Sequence, residues 1–358
     1  MFCRVHWFVI ALSFSHAAAA AADKMPAAHE SFVRSPYNWV ENEDGSLTSN
    51  TPGAYLRGSF TGGALRLRVD TLANQPLPPN QYPMLAWRVG DVAWQRQQLE
   101  PGQTHVDLID AVGEVPREVE VVFTGVWWQA PRWTGGDRPA ASLTLGGFEI
   151  DGGKAHPTPA RLRRMIVFGD SNSEGYEARQ IGVSVENQDA GQATPMILGQ
   201  ALDAEVGVVA FAGQGNLRGG GGGVPPMAEA WNQQWDGQSR LVDGKLSPPP
   251  DLIVNLHGQN DPRLTVDEVE ALIARWRDAA PDALIVLAAP ADLRNAKALE
   301  EATQADPHAH FISTGVDFLQ TKRGVGAFHN ANHLNVRGHA LYAATNARLI
   351  GGLLQSEE

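Results

Sequence analysis

Arg164–Tyr176 reads RMIVFGDSNSEGY. Four apolar residues, Met165–Phe168, end abruptly in Gly169-Asp170-Ser171, and polar residues follow. A short apolar run bounded by turn residues reads as a buried parallel strand. Ligands in open α/β sheets bind beyond the carboxyl ends of such strands. Ser171 therefore stands at a binding edge, with Gly169 supplying freedom for a tight turn. Gly-Asp-Ser most often makes a plain turn. A serine there becomes a nucleophile only if the rest of the chain supplies a base and oxyanion donors.

Downstream, the pattern alternates strands with helices. Strand candidates are Met165–Phe168, Val206–Phe211, Leu252–Leu256, Leu284–Ala288 and His310–Ser313. Thr194-Pro195 opens a helix with proline in the first turn. Thr265 with Glu268 forms a capping-box pattern ahead of VEALIARWRDAA. Asn335 caps a last helix from about Val336 to Leu354. Alternating units of this kind imply a parallel sheet with helices on both faces.

Upstream, residues 35–152 read as all-β. Short runs such as ALRLRVDTL and REVEVVFTG alternate apolar with polar between glycine, proline or acidic turns, the pattern of a β-sandwich. Leu65, Leu67 and Val69 face a core while Arg66, Arg68 and Asp70 face water. VWWQAPRW sets Trp127, Trp128 and Trp133 around a proline, suggesting a partly exposed aromatic surface. DGGKAHPTPARLRR, Asp151–Arg164, lacks an apolar period and reads as a linker, assigned to 153–164 between the sandwich and a domain over 165–358.

The first 22 residues form a separate unit. Arg4 precedes the apolar FVIALSFS, and Ala17–Ala22 offer small-residue cleavage sites. This is the pattern of a secretory signal peptide, and its core is too short for a membrane span. Cys3, the single cysteine, lies within it, so the mature chain would have neither a disulfide nor a cysteine metal site. Of 358 residues, 43% are hydrophobic and 19% charged, a globular composition long enough for two domains. The net charge is −12. Removing the leader leaves 27 basic and 40 acidic residues, a poor match to nucleic acid or anionic membranes.

Four polar clusters fall at element ends in the second half: Gly169-Asp170-Ser171, FAGQGNLRGG with Gly213 and Gly215, HGQND with Asn260, and HNANHLN with His333. Each alone is an ordinary loop. Together they supply a serine, backbone donors, an amide donor and a late histidine, the parts of an acyl-transfer site. No metal spacing appears, and the run Gly219–Gly223 lacks a phosphate-loop lysine. No cofactor is expected.

With GDS, GQND and HLNVRGHALYA in this order, residues from Arg164 onward resemble the SGNH, or GDSL-type, hydrolase superfamily. A β-sandwich ahead of such a domain is similar to the second family of carbohydrate esterases, deacetylases of plant polysaccharides. The resemblance implies a flavodoxin-like α/β/α sheet preceded by a jelly-roll-like sandwich. It implies Ser171 as nucleophile and His333 as base, with the Ser171 N–H, Gly213 (or neighbouring Gly215) and the Asn260 amide as oxyanion donors. The superfamily's acid lies three residues before the histidine, and here that position is Asn330. The orienting group is then Asn330, a backbone carbonyl or a more distant carboxylate such as Asp317. Trp128, Trp231 and Trp235 are candidate sugar-stacking walls, although Trp231 and Trp235, four apart, equally fit one core-facing helix face. The implied activity is removal of O-acetyl groups from a carbohydrate outside the cytoplasm. A lipid or simple-ester hydrolase and a noncatalytic carbohydrate-binding protein are the competing readings. The leader predicts a mature N-terminus near Asp23, to be read by mass spectrometry; an intact Met1 chain in the soluble cytoplasm would defeat it.

Overall fold

The computed structural model describes residues 22–133, 138–313, 326–330 and 332–357. The expected leader (up to residue 21), the loop residues 134–137 just after Trp133, and Asp317 lie outside them. No helix among the described residues is long and apolar enough to cross a membrane.

The N-terminal half forms two antiparallel sheets. One runs in the order Val40–Glu41, Leu47–Ser49, Leu143–Ile150, Leu65–Asp70, His105–Ile109. The other runs Lys154–His156, Tyr55–Gly62, Gly113–Gly125, Met84–Val89, Gln95–Gln98. Leu65–Asp70 alternates buried with half-exposed residues along its whole length, as its sequence predicts. Inward-facing residues from both sheets, among them Leu67, Leu85, Trp87, Phe123 and Phe148, make one apolar core, the sandwich arrangement. The expected linker is partly sheet: Lys154–His156 pairs antiparallel with Tyr55–Gly62. Any extended segment passing a free edge strand meets unpaired N–H and C=O groups, and pairing there needs no apolar pattern.

The C-terminal half is a five-stranded parallel sheet. Its order is Ala204–Ala210, Arg163–Gly169, Leu252–Asn255, Leu284–Ala288, Ala309–Ile312. This 2-1-3-4-5 order reverses between the first and third strands, the switch point where such sheets bind ligands. Apolar clusters line both faces. Thr265 and Glu268 form the full capping box of helix Val266–Ala279. The Asn335 side chain accepts the Gly338 N–H at 2.9 Å and starts helix Val336–Glu357.

The sandwich covers the exposed edge of this sheet. Along edge strand Ala204–Ala210, the Asn38 side chain donates to the Val208 carbonyl at 2.6 Å and accepts the Val208 N–H at 3.0 Å. The Tyr55 hydroxyl accepts the Val206 N–H at 3.1 Å. Approach is close enough that a Cβ on Gly207 would stand 2.1 Å from the Pro36 carbonyl oxygen; only glycine fits there.

A buried ion pair joins the two halves next to the serine. Arg132, from the sandwich, lies 2.5 Å from Glu174, and both side chains are fully buried. Arg132 also donates twice to the Asn50 carbonyl. The other Glu174 oxygen accepts the Ala212 N–H at 2.5 Å. Burial pushes the Glu174 carboxyl up and the Arg132 guanidinium down, and each charge opposes the shift of its partner. Removing one member leaves a buried charge unpaired, at a cost of about 3–5 kcal/mol. Urea unfolding of Glu174→Ala should show a loss of that size. Arg132→Met combined with Glu174→Leu should lose much less than the two single losses added together; strictly additive losses would show that the pair is uncoupled.

Candidate active site

The site sits at the sheet's switch point. Arg163–Gly169 ends, Asp170 caps the short helix Ser171–Glu174 by accepting the Asn172 N–H at 3.0 Å, and Ser171 becomes its first residue. The N–H groups of a first helical turn have no partner inside the helix. At Gly175 the helix ends with φ +75°, and a Cβ there would meet the Asp189 backbone at 2.5 Å.

Ser171 Oγ lies 3.2 Å from His333 Nε2. His333 Nδ1 lies 2.7 Å from Glu177 Oε2. A proton on Nδ1 donated to this carboxylate leaves Nε2 as the acceptor facing the serine, the tautomer a general base requires. Burial lowers the His333 pKa below the ordinary 6.5; the Glu177 charge and hydrogen bond oppose that, and His329 adds slightly to the lowering.

Glu177 is the partner that the sequence reading did not find. It is buried, adopts φ +56°, and accepts the Gly182 N–H on its other oxygen at 2.9 Å. A left-handed non-glycine residue is uncommon, and such outliers collect at functional sites. Asn330, at the usual acid position, occupies a supporting place. Its Oδ1 accepts the N–H groups of Asn332 and His333 at 2.8 and 2.9 Å. Nδ2 is thereby turned to Glu177 Oε2 at 2.8 Å. Its 3.3 Å approach to His333 Nδ1 is proximity rather than a bond, because an amide nitrogen accepts none and a protonated Nδ1 has no lone pair to receive one.

Asn172 holds the histidine loop against the nucleophile helix. It donates to the Asn332 carbonyl at 3.0 Å and accepts the Leu334 N–H at 2.9 Å. Gly213, at φ +80°, lines the cleft with open space where a Cβ would stand. Gly215, the alternative donor, gives its N–H to the Arg218 carbonyl instead, and a Cβ on it would stand 2.5 Å from Asp261. Asn260 reaches the cleft, but its amide donates to Asp170 Oδ2 at 3.1 Å and to the Gln214 carbonyl at 3.0 Å. Asp170 is raised to about 7 by burial, reinforced by the nearby charges of Asp261 and Asp292.

Ser171, His333 and Gly213 open into a cleft of about 400 Å³. Trp128 forms one wall, packed edge-on to Tyr176 at 6.2 Å, and Tyr176 packs on the His333 ring at 5.1 Å. Trp128 is the contribution of the sandwich to this cleft. Trp127 instead packs half-buried on the sandwich core, and Trp133 is buried in the core of the α/β half. Trp231 and Trp235 are not walls. The helix Met227–Ala230 ends as Trp231 is reached, Trp235 closes a short strand, and both are at most 6% exposed within the same core. His257 is fully buried, and burial lowers it to about 4 against the opposing pull of the Asp261 charge and a backbone contact with Gln214.

A family model for GDSL-like lipases and acylhydrolases matches residues 165–343, half of the chain. The chain belongs to this family. No curated protein matches it in sequence. Among solved structures, a family two carbohydrate esterase from Cellvibrio japonicus is similar, with a TM-score of 0.77 and 19% identity over 94% of this chain and 99% of that one. An acetyl xylan esterase from the rumen bacterium Butyrivibrio proteoclasticus has a TM-score of 0.73 at 15% identity, over 95% of this chain and all of that one. A family two carbohydrate esterase from Clostridium thermocellum, in complex with cellohexaose, has a TM-score of 0.72 at 16% identity, over 90% and 99% of the two chains. At these identities the likeness is one of fold, and it spans the sandwich as well as the parallel sheet.

Glu177 predicts a titration. The His333 imidazole, followed by NMR, should titrate below pH 6.5. In Glu177→Gln it should titrate lower still, since an opposite charge favouring the imidazolium is gone. An upward or absent shift would show that Glu177 does not act on His333.

Proposed function

We propose that this protein is an exported serine esterase that removes acetyl groups from a carbohydrate. The observation that carries the reading is the continuous line Ser171–His333–Glu177, with contacts of 3.2 and 2.7 Å, on the floor of an open, polar cleft beside Trp128 and Tyr176. A sugar acetate needs room for two carbons at the serine and polar, aromatic walls for the ring. A long acyl chain needs a deep apolar pocket, and the residues named around Ser171 do not form one. The structural likeness to carbohydrate esterases and the leader-like N-terminus support the same reading.

In this mechanism Ser171 Oγ attacks the acetyl carbonyl carbon while His333 Nε2 takes the hydroxyl proton. The carbonyl π-pair moves onto oxygen, and the Ser171 and Gly213 N–H groups donate to it. Asn260 contributes by exchanging its bond to Asp170 or Gln214 for one to the oxyanion. A donor already aimed at the oxyanion is worth roughly 3 kcal/mol, and Asn260 yields less by what its exchange costs. The ester C–O bond then breaks, and the sugar alkoxide takes the proton from His333. A water, deprotonated by His333, attacks the acetyl-serine; acetate leaves and Ser171 recovers its proton. Glu177 offsets the imidazolium charge and holds Nδ1 protonated throughout. Loss of such an acid cost about 10⁴-fold in a serine protease.

The purified protein should hydrolyse nitrophenyl acetate well and nitrophenyl octanoate poorly, and should release acetate from acetylated xylan. Ser171→Ala should remove at least 10³-fold of the turnover, by order of magnitude, with the folded circular-dichroism spectrum retained. Preference for octanoate, or Ser171→Ala activity within about tenfold of wild type, would defeat the reading.

A further inference from the structure

The cleft displays a guanidinium that the chemistry above does not use. Arg294 lines it, with 55% of its side chain exposed. Its Nη1 donates to the Gln259 carbonyl at 2.8 Å, which fixes the group beside the loop that carries Asn260. Among the described residues Nη2 makes no hydrogen bond, and Nε forms a loose ion pair with Asp292 at 3.7 Å, too long for a hydrogen bond. The other oxygen of Asp292 accepts the backbone N–H of Arg294 itself at 3.0 Å. The other carboxylates of the site are already engaged: Glu177 by His333 and Asn330, and Asp170 by Asn172 and Asn260.

The backbone is left-handed on both sides of this side chain. Leu293 and Asn295, on either side of Arg294, have φ of +59° and +58°. Neither is glycine; asparagine adopts this conformation readily, but a leucine there is an outlier that persists only where the surroundings over-determine it. Those surroundings are visible here. The Asn295 side chain donates to the carbonyls of Gly258 and Asp261 at 2.9 and 3.1 Å and accepts the Leu264 N–H at 3.0 Å. The turn is thereby clamped to the loop after the third strand, and Arg294 is held at the rim.

We propose that Arg294 is a specificity-determining residue that binds a carboxylate on the sugar. On this account the substrates are O-acetylated carbohydrates with a uronic acid at or next to the acetylated ring. The planar fork of a guanidinium matches a carboxylate in two parallel hydrogen bonds, which a neutral hydroxyl cannot reproduce. The inference rests on the esterase reading and narrows its substrate class.

A matched pair of substrates tests it: O-acetylated methyl glucuronoside with its carboxylate free, and O-acetylated methyl glucoside. The wild type should favour the acidic ester by about tenfold in kcat/KM, chiefly through KM, as one charge-assisted contact allows. High salt should shrink the preference. Arg294→Gln should bring the ratio close to one, and Arg294→Lys should keep part of it. Turnover of both esters by the wild type without preference, or a preference that survives in Arg294→Gln, would overturn the inference while leaving the esterase reading intact. Calorimetry with the Ser171→Ala protein gives an arm independent of turnover. Methyl glucuronoside should bind more tightly than methyl glucoside, and equal binding would overturn the inference whether or not the chain is an esterase.

Discussion

The geometry around Ser171 depends on one buried ion pair. Arg132 comes from the sandwich, and Glu174 closes the four-residue helix that Ser171 opens. Through its second oxygen Glu174 also holds the N–H of Ala212, the residue before Gly213. One carboxylate therefore fixes the distance between the serine and a proposed oxyanion donor, and ties both to the other half of the molecule. So short a helix has too few internal bonds to hold itself. Its rigidity is borrowed from the sandwich.

The histidine is positioned by a second set of contacts. Asn172 grips its loop from the nucleophile helix, and Asn330 organises the loop from within. Glu177 orients the ring itself. Serine and histidine thus share Asn172 as a common anchor, although they are 162 residues apart in sequence. Errors in one loop are limited by the other, which is how a site built from separate loops holds hydrogen-bond distances.

The parallel sheet was legible because buried strands leave short apolar runs that end in glycine and polar residues, as Met165–Phe168 and Leu252–Leu256 do. The long helices were legible because their caps are local: Thr265 with Glu268, and Asn335. Glu177 was not. Its role follows from a left-handed turn and a contact across 156 residues, neither of which has a periodic signature. The available signal was chemical: a missing acid at Asn330 and two glutamates, Glu174 and Glu177, just after the serine. Trp231 and Trp235 were open between two readings. A tryptophan in a polar stretch reads equally as a platform or as a core plug, and only the turn at the end of a four-residue helix decides between them.

The covered edge strand Ala204–Ala210 has a consequence for how this protein can vary. Asn38 and Tyr55 supply to its backbone what a sixth strand would supply, so the sandwich is not a detachable appendage. Recombination that exchanged it for an unrelated module would bare a row of unpaired amides at the sheet edge, a template for aggregation, and would also strip the wall at Trp128. The two halves thus depend on one another physically, and they should melt in one cooperative step.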